Sequence, residues 1–180
     1  MTGVSRAPIQ RTSARVIPVN ASGRVLLLHG HDPARPESSY WFTIGGAVES
    51  GESRAAAAVR ELWEETGIEI TEQQLSLPYH RGTHAFSYDG VDFVADESFF
   101  AVRLDDVAIS FDGIQGNEVI DDARWWDPDD LERAPISVPD LPDLMRRAVA
   151  MTISENGDPL RDKSAVSSVR ETAGELQRSG

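Results

Sequence analysis

Short apolar segments alternate along the chain with clusters of turn-forming residues, and this pattern predicts six strands. The strand-like segments are rich in Val, Ile, Leu and aromatic residues and occur at 14–19, 24–29, 40–44, 75–86, 91–103 and 123–126. Turn formers at 20–23 separate the first two segments and predict a β-hairpin. Tyr88, Asp89 and Gly90 predict a second turn, so that the fourth and fifth segments form a larger antiparallel pair. Residues 31–39 contain two prolines and are expected to form a surface loop.

Helix signals are clearest at 53–66, where the sequence SRAAAAVRELWEET is rich in good helix formers. Ser53 is a suitable N-cap, and Gly67 can end the helix in a left-handed conformation. Asp127-Pro128 predicts the cap and the first position of a short helix. A last helix is expected at about 141–151.

Trp125 and Trp126 are adjacent in the last predicted strand. Because successive side chains of a strand point to opposite faces, one indole should face the core and the other should face outward. An outward indole could stack on a base, but core packing is the favoured role for either residue.

A length of 180 residues is suited to one hydrophobic core and not to two domains. Residues 1–12 lack an apolar period and are expected to form a flexible N-terminal arm. The folded domain is expected at 13–152, followed by a weakly helical tail at 153–180. The chain shows no internal repeat.

The charge of the chain restricts its partners. Seventeen basic and 30 acidic residues give a net charge of −13, which disfavours binding to nucleic acid and to anionic membranes. The longest apolar run, 55–59, is too short to span a bilayer, and no secretory signal is readable, so a cytoplasmic location is expected. The absence of cysteine excludes disulfides, thiolate metal sites and cysteine nucleophiles.

Glu61, Glu64 and Glu65 have the spacing i, i+3 and i+4, which places three carboxylates on one face of the predicted helix. Such carboxylates repel one another unless a positive charge lies between them. Oxygen ligands without histidine or cysteine suit a hard cation such as Mg²⁺ or Mn²⁺, and these ions commonly bridge to phosphates. The alternative is that these glutamates form a solvated acidic helix face without a metal-binding or catalytic role.

The segment from Gly46 to Ile68 resembles the Nudix box, in which Gly, five residues, Glu and seven residues precede the pattern Arg-Glu-aliphatic-X-Glu-Glu-X-Gly-aliphatic. The resemblance implies an α/β fold, a Nudix-type α/β/α sandwich with a mixed central sheet, with 13–152 as the hydrolase domain. It implies metal-dependent hydrolysis of a pyrophosphate linkage in a nucleoside diphosphate linked to another moiety. Nucleoside triphosphates, ADP-ribose and nucleotide sugars all satisfy this description.

The resemblance also implies roles for individual residues. It assigns a metal site to three carboxylates and one carbonyl oxygen, those of Glu61, Glu64, Glu65 and Gly45. Which of these glutamates also acts as the base stays open.

Other positions of the box are expected to support this metal site. Glu52 and Arg60 would pair and hold the loop to the helix, next to Gly46.

Many family members add an acidic residue from a loop ahead of the last strand, for which Glu118 is the first candidate and Glu97 the second. Ile44 stands where many members have proline, which predicts a changed loop entry without the loss of a ligand.

Two alternative functions other than hydrolysis are compatible with this type of fold. A non-catalytic module that senses a nucleotide or sugar nucleotide could share the fold, although a pure binder would not need three carboxylates. Isopentenyl-diphosphate isomerases resemble the fold but rely on a cysteine, which this chain lacks. The expected partner is a small nucleoside diphosphate derivative, without nucleic acid or membrane, and a homodimer is possible because many relatives are dimers.

Overall fold

The computed structural model describes residues 7–105, 107, 109 and 119–153 of the 180-residue chain. Within them it contains the strands β1 (Ile9–Val19), β2 (Val25–His31), β3 (Ser39–Phe42), β4 (Ile44–Ala47), β5 (His80–Tyr88), β6 (Val91–Arg103) and β7 (Val119–Trp126). The helices are α1 (Arg54–Thr66) and α2 (Leu141–Thr152), with short 3₁₀ turns at Glu72–Gln74 and Asp130–Arg133. In the described part, no helix has the length and apolar character needed to cross a membrane.

The seven strands form one mixed sheet in which β1 is the shared element. It pairs in parallel with β6 along its whole length, from Ile9 opposite Phe93 to Val19 opposite Arg103. On its other edge it pairs antiparallel with β4 and then, at its end, with β2. β5 completes one side of the sheet beside β6, and β2 lies between β3 and β7 on the other side.

Apolar side chains cover both faces of this sheet. On one face, Leu26, Leu28 and Ile44 pack against Ala58 and Leu62 of α1. The opposite face packs against α2, with a second cluster built around Ile17, Leu27, Leu141, Met145 and Ala148. The arrangement confirms the expected α/β/α sandwich with a mixed central sheet.

Both predicted hairpins and both main helices are present, but several boundaries differ. β1 begins at Ile9, so residues 9–12 belong to a strand and not to the expected arm. These residues form a strand without an apolar period because their backbone pairs with β6. Such long-range pairing leaves no signal in the local sequence pattern. The segment expected as one strand at 40–44 is divided at Thr43 into β3 and β4.

The predicted short helix after Trp126 is also different. It is a 3₁₀ turn that begins at Asp130, and Asp129 is its flanking residue. Asp127 does not cap it: its Oδ1 accepts a hydrogen bond from the Asp129 N–H at 3.1 Å, a local turn that delays the helix. Residues 154–180, which include nearly all of the expected tail, lie outside the described residues.

Candidate functional site

Helix α1 has well-defined ends, which fixes the positions of the acidic residues along it. Ser53 Oγ accepts a hydrogen bond from the Ala56 N–H at 2.9 Å, as expected for an N-cap. Gly67 has a φ of 71°, and its N–H donates to the carbonyl of Trp63 at 2.8 Å. A residue with a side chain would be strained in this conformation, so glycine is the appropriate stop signal.

Arg60 is the central group on the acidic face of α1. Its Nε and Nη2 donate to the two carboxylate oxygens of Glu52, each at 3.0 Å, which is the predicted pair. Its Nη1 also donates to Glu61 Oε1 at 2.9 Å and to Glu64 Oε2 at 2.8 Å. A further bond from Nη2 reaches the carbonyl of Ala47 at 2.9 Å. One guanidinium therefore connects the loop before α1 with two of the three glutamates.

These contacts change the acid–base properties of the pair. The hydrogen bond from Arg60 lowers the pKa of Glu52 below its ordinary value of 4.5, with a smaller contribution from the Glu49 N–H. The Glu52 carboxylate raises the pKa of Arg60, assisted by Glu61 and Glu64. Both groups are therefore held in their charged forms.

The glycine pair that precedes the loop lets the backbone approach the carboxylates. A Cβ atom on Gly46 would lie 2.5 Å from Glu61 Oε1, so a larger residue there would displace this carboxylate from its position. Gly45 has a φ of 134°, and a Cβ there would lie 2.2 Å from the carbonyl oxygen of Ala14. Its N–H donates to Glu65 Oε2 at 3.0 Å, and Glu65 is buried. Gly45 is therefore required by the neighbouring backbone, whereas Gly46 leaves room for the Glu61 carboxylate in its observed position.

Arg15 is a functional candidate that sequence reasoning missed. Its Nη1 donates to the Gly45 carbonyl at 2.6 Å, and its Nε donates to Glu97 Oε1 at 3.0 Å. Glu97 is only 5% exposed, so this ion pair lies inside the protein. The available signal was a single arginine within the apolar segment 14–19, where a charge needs a buried partner.

The donor set suits a hard divalent cation. Glu61, Glu64, Glu65 and the Gly45 carbonyl offer only oxygen atoms, and Arg60 and Arg15 already supply positive charge to three of them. Within the described ranges, however, no three acidic or histidine side chains are arranged around a common point as metal ligands would be. Glu61 and Glu64 contact Arg60, while Glu65 contacts the Gly45 N–H.

A cavity of about 320 Å³ adjoins this site at Arg15 and Thr43. Aromatic side chains from β3, β5 and β6 contribute much of its lining, namely Tyr40, Phe42, His84, Phe86, Tyr88 and Phe99. Glu97 and Arg11 also line it, and residues 136–138 close one side. The volume falls at the lower end of the range that small-molecule sites occupy.

The structure brings most of the candidate residues of the sequence together. Seven of them lie within one network of loop, glycine pair and helix, and they are Gly45, Gly46, Glu52, Arg60, Glu61, Glu64 and Glu65. Glu97, which lies on β6, pairs with Arg15 of β1. Glu118 lies outside the described residues.

Sequence comparison gives a family match over most of the chain. The model of the NUDIX domain matches residues 9–148. The uncharacterized Nudix hydrolase YvcI of Bacillus subtilis is 33% identical over 116 residues, which cover 63% of this chain and 65% of that protein. Dihydroneopterin triphosphate diphosphatase of Haemophilus influenzae is 36% identical over 62 residues, covering 34% of this chain and 37% of that protein. The matches thus span less than two thirds of either relative.

Solved structures show the same fold at lower identity. The MutT protein of Methanosarcina mazei superposes with a TM-score of 0.54 at 22% identity, covering 80% of this chain and 96% of that chain. The E. coli dihydroneopterin triphosphate pyrophosphohydrolase gives a TM-score of 0.59 at 20% identity, covering 78% of this chain and 97% of that chain. At these identities the likeness establishes the fold alone.

Proposed function

Because the chain belongs to the Nudix family, whose domain model covers residues 9–148, we propose that it is a divalent-metal-dependent pyrophosphohydrolase. Its substrate is a nucleoside diphosphate linked to another moiety. The observation that carries this proposal is the network in which Arg60 joins Glu52, Glu61 and Glu64 while Gly45 contacts Glu65. Every charged position of the box therefore has a hydrogen-bonding partner within the site.

Glu61, Glu64, Glu65 and the Gly45 carbonyl would hold the metal, which we expect to be Mg²⁺ or Mn²⁺. When bound, such an ion polarises phosphoryl oxygens and lowers the pKa of a water molecule. Arg60 holds the carboxylates of Glu61 and Glu64 in position, and Glu52 fixes the orientation of Arg60 through two parallel hydrogen bonds. Arg15 adds a cation beside Gly45, where it favours an anionic substrate in an otherwise acidic protein.

Triphosphates of heteroaromatic compounds are the first substrates to test. Two lines support this choice, since the relative from Haemophilus influenzae is a dihydroneopterin triphosphate diphosphatase and the adjoining cavity is rich in aromatic side chains. ADP-ribose and nucleotide sugars belong in the same panel. A cytoplasmic location, a possible homodimer and a role for Glu118 as a further acidic residue stay predictions from the sequence.

The test is release of phosphate and pyrophosphate from this panel with Mg²⁺ or Mn²⁺, using the full chain and its Glu64→Gln variant. We expect metal-dependent turnover of at least one compound. The turnover rate of Glu64→Gln should be lower by about 100-fold or more, because Glu64 would hold the metal that stabilises the transition state. Glu69→Gln is the matched control, since Glu69 is an exposed glutamate just beyond α1.

Two results would contradict the proposal. Full activity of Glu64→Gln would exclude the assigned role of this carboxylate. Tight binding of a panel member without turnover under either metal would instead support a non-catalytic sensing module.

A further inference from the structure

The cavity beside Arg15 has a lining suited to a flat, unsaturated ring. Tyr40 and Phe42 contribute rings from β3, with centroids 5.7 Å apart. From the other side, Phe86 on β5 stacks on His84 at 5.7 Å and 14°. Such faces favour a heteroaromatic ring, because stacking on aromatic side chains stabilises any base.

Positive charge extends from the cavity toward the candidate metal site. The Arg11 guanidinium lies 5.0 Å from the centroid of the Phe86 ring. Arg15 lines the same cavity and donates to the Gly45 carbonyl at 2.6 Å. A ligand with a ring in the cavity would therefore direct its anionic part along Arg15 toward Gly45. Gly45 belongs to the candidate metal site, where the phosphates of the substrate would react.

Glu97 gives this cavity a selective hydrogen-bonding group. Among the described residues that line it, Glu97 is the one carboxylate, and its side chain is only 7% exposed. A carboxylate can accept about four hydrogen bonds. One of these positions, on Oε1, is used by Arg15 at 3.0 Å. The remaining capacity is for N–H donors, because the carboxylate that pairs with Arg15 acts as a hydrogen-bond acceptor.

We infer that the cavity binds the base of the substrate, and that Glu97 accepts hydrogen bonds from adjacent ring and amino N–H groups on one edge of that base. Guanine carries such an edge, with a ring N–H beside an amino group, whereas hypoxanthine has the ring N–H alone. This inference rests on the proposed function, and it narrows the substrate to a purine-like nucleoside triphosphate with a 2-amino group. Glu97 is thereby a specificity-determining residue and not the further acidic residue of the family considered from the sequence.

The experiment is calorimetric titration of the full chain, without divalent metal, with guanosine, inosine and deoxyguanosine 5′-monophosphates. We expect guanosine monophosphate to bind about tenfold more tightly than inosine monophosphate, because the lost hydrogen bond has a charged acceptor. Deoxyguanosine monophosphate should bind like guanosine monophosphate. Since no bond is broken, the result is independent of the turnover that tests the proposed function.

Three variants separate recognition from folding. Glu97→Gln should reduce the tenfold preference to about twofold or less, since its amide places a donor against the donors of the base. Asp96→Asn is the matched control, because Asp96 is the preceding residue on β6 but pairs with Arg54. Phe86→Leu should weaken binding of both purines to the same extent, because it removes a stacking surface and leaves Glu97 in place. Circular dichroism and thermal unfolding verify that each variant is folded.

Three results would overturn the inference. They are equal affinity for guanosine and inosine monophosphates, an unchanged preference in folded Glu97→Gln, and no binding of either compound. A preference that follows the ribose hydroxyl would also contradict it, because Glu97 would then contact the sugar.

Discussion

Arg60 balances the acidic face of α1 because one guanidinium contacts Glu52, Glu61 and Glu64. Its side chain is 23% exposed, so the contacts are partly shielded from water. The planar fork of arginine supplies several donors in fixed directions, which a lysine ammonium cannot reproduce. The consequences of this geometry can be measured at two single positions.

The first prediction concerns Arg60→Lys. We expect the variant to lose about 1–3 kcal/mol of unfolding free energy in urea titrations, because carboxylates that are partly buried lose charged hydrogen bonds. Arg146→Lys is the control, since Arg146 pairs with Asp129 and Asp143 at the exposed surface. It should unfold at an unchanged urea concentration. Equal effects of both substitutions would show that the network of Arg60 has no special stabilising role.

The second prediction concerns the pH dependence of stability through Glu52. Its pKa is lowered in the folded protein below 4.5, so below this pH the unfolded chain binds a proton more readily than the folded chain does. The stability that Glu52 contributes is present above pH 4.5 and declines as the pH falls through the lower folded value. Urea titrations of Glu52→Gln at a series of acidic pH values should therefore show a shallower decline than the wild type. An identical slope for both proteins would contradict the assigned shift.

At the scale of elements, helix α1 presents the acidic residues and depends on its N-terminal cap. Ser53→Ala should lower the unfolding free energy by about 1 kcal/mol, because the Ala56 N–H loses its acceptor. Ser53→Asp should retain most of the stability, since aspartate is an equally good cap. Thermal and urea unfolding check both variants. If Ser53→Asp is as unstable as Ser53→Ala, the loss has a different cause, such as the contact of Ser53 with Glu72.

Elements with local signals are the ones that sequence reasoning located well. Helix α1 carries its cap, its apolar stripe and its stop signal within 15 residues, from Ser53 to Gly67. The first residues of β1 carry no such signal, because long-range pairing with β6 determines their structure. The expectation for Trp125 and Trp126 failed in part for a related reason. Each packs against a core on one face of the sheet, because helices cover both faces and neither is outward.

The residues of the candidate site also differ in how well the sequence predicts them. The box residues are found by their spacing because they belong to one loop and one helix. Arg15 and Glu97 are brought together from β1 and β6, at a separation that no local pattern records. Cavity residues from β3 and β5 join them only when the sheet is complete. Sequence therefore indicates the reaction type more directly than the substrate.

At the scale of the whole molecule, Asp32 connects two distant loops. It is 5% exposed, and its Oδ1 accepts hydrogen bonds from the N–H groups of Ala34 at 3.0 Å and Asp89 at 2.8 Å. Asp89 lies in the turn between β5 and β6, whereas Asp32 precedes β3. Because β3 and β5 are at opposite ends of the strand order, this contact joins the two ends of a curled sheet.

The prediction from this contact concerns Asp32→Ala. Removal of the carboxylate should speed amide hydrogen exchange of Asp89 by about tenfold, since a lost hydrogen bond to a charged acceptor opens the turn locally. Exchange in the core of β1 should change much less. Asp92→Ala serves as a control in the same hairpin, because the Asp92 carboxylate accepts a hydrogen bond from the Ser87 hydroxyl of that hairpin. Unchanged exchange at Asp89 would show that the loops are held together by other contacts.

The pairing of β1 with β6 also has a consequence for synthesis of the chain. Ile9 pairs with Phe93 and Val19 with Arg103, so the first strand leaves the ribosome roughly 80 residues before its partner. During this interval one whole edge of β1 has unpaired backbone groups that can pair with another nascent chain. Any fragment that ends before β6 retains this open edge and is expected to aggregate. The edge of β1 is therefore protected from such pairing only after β6 has been synthesised.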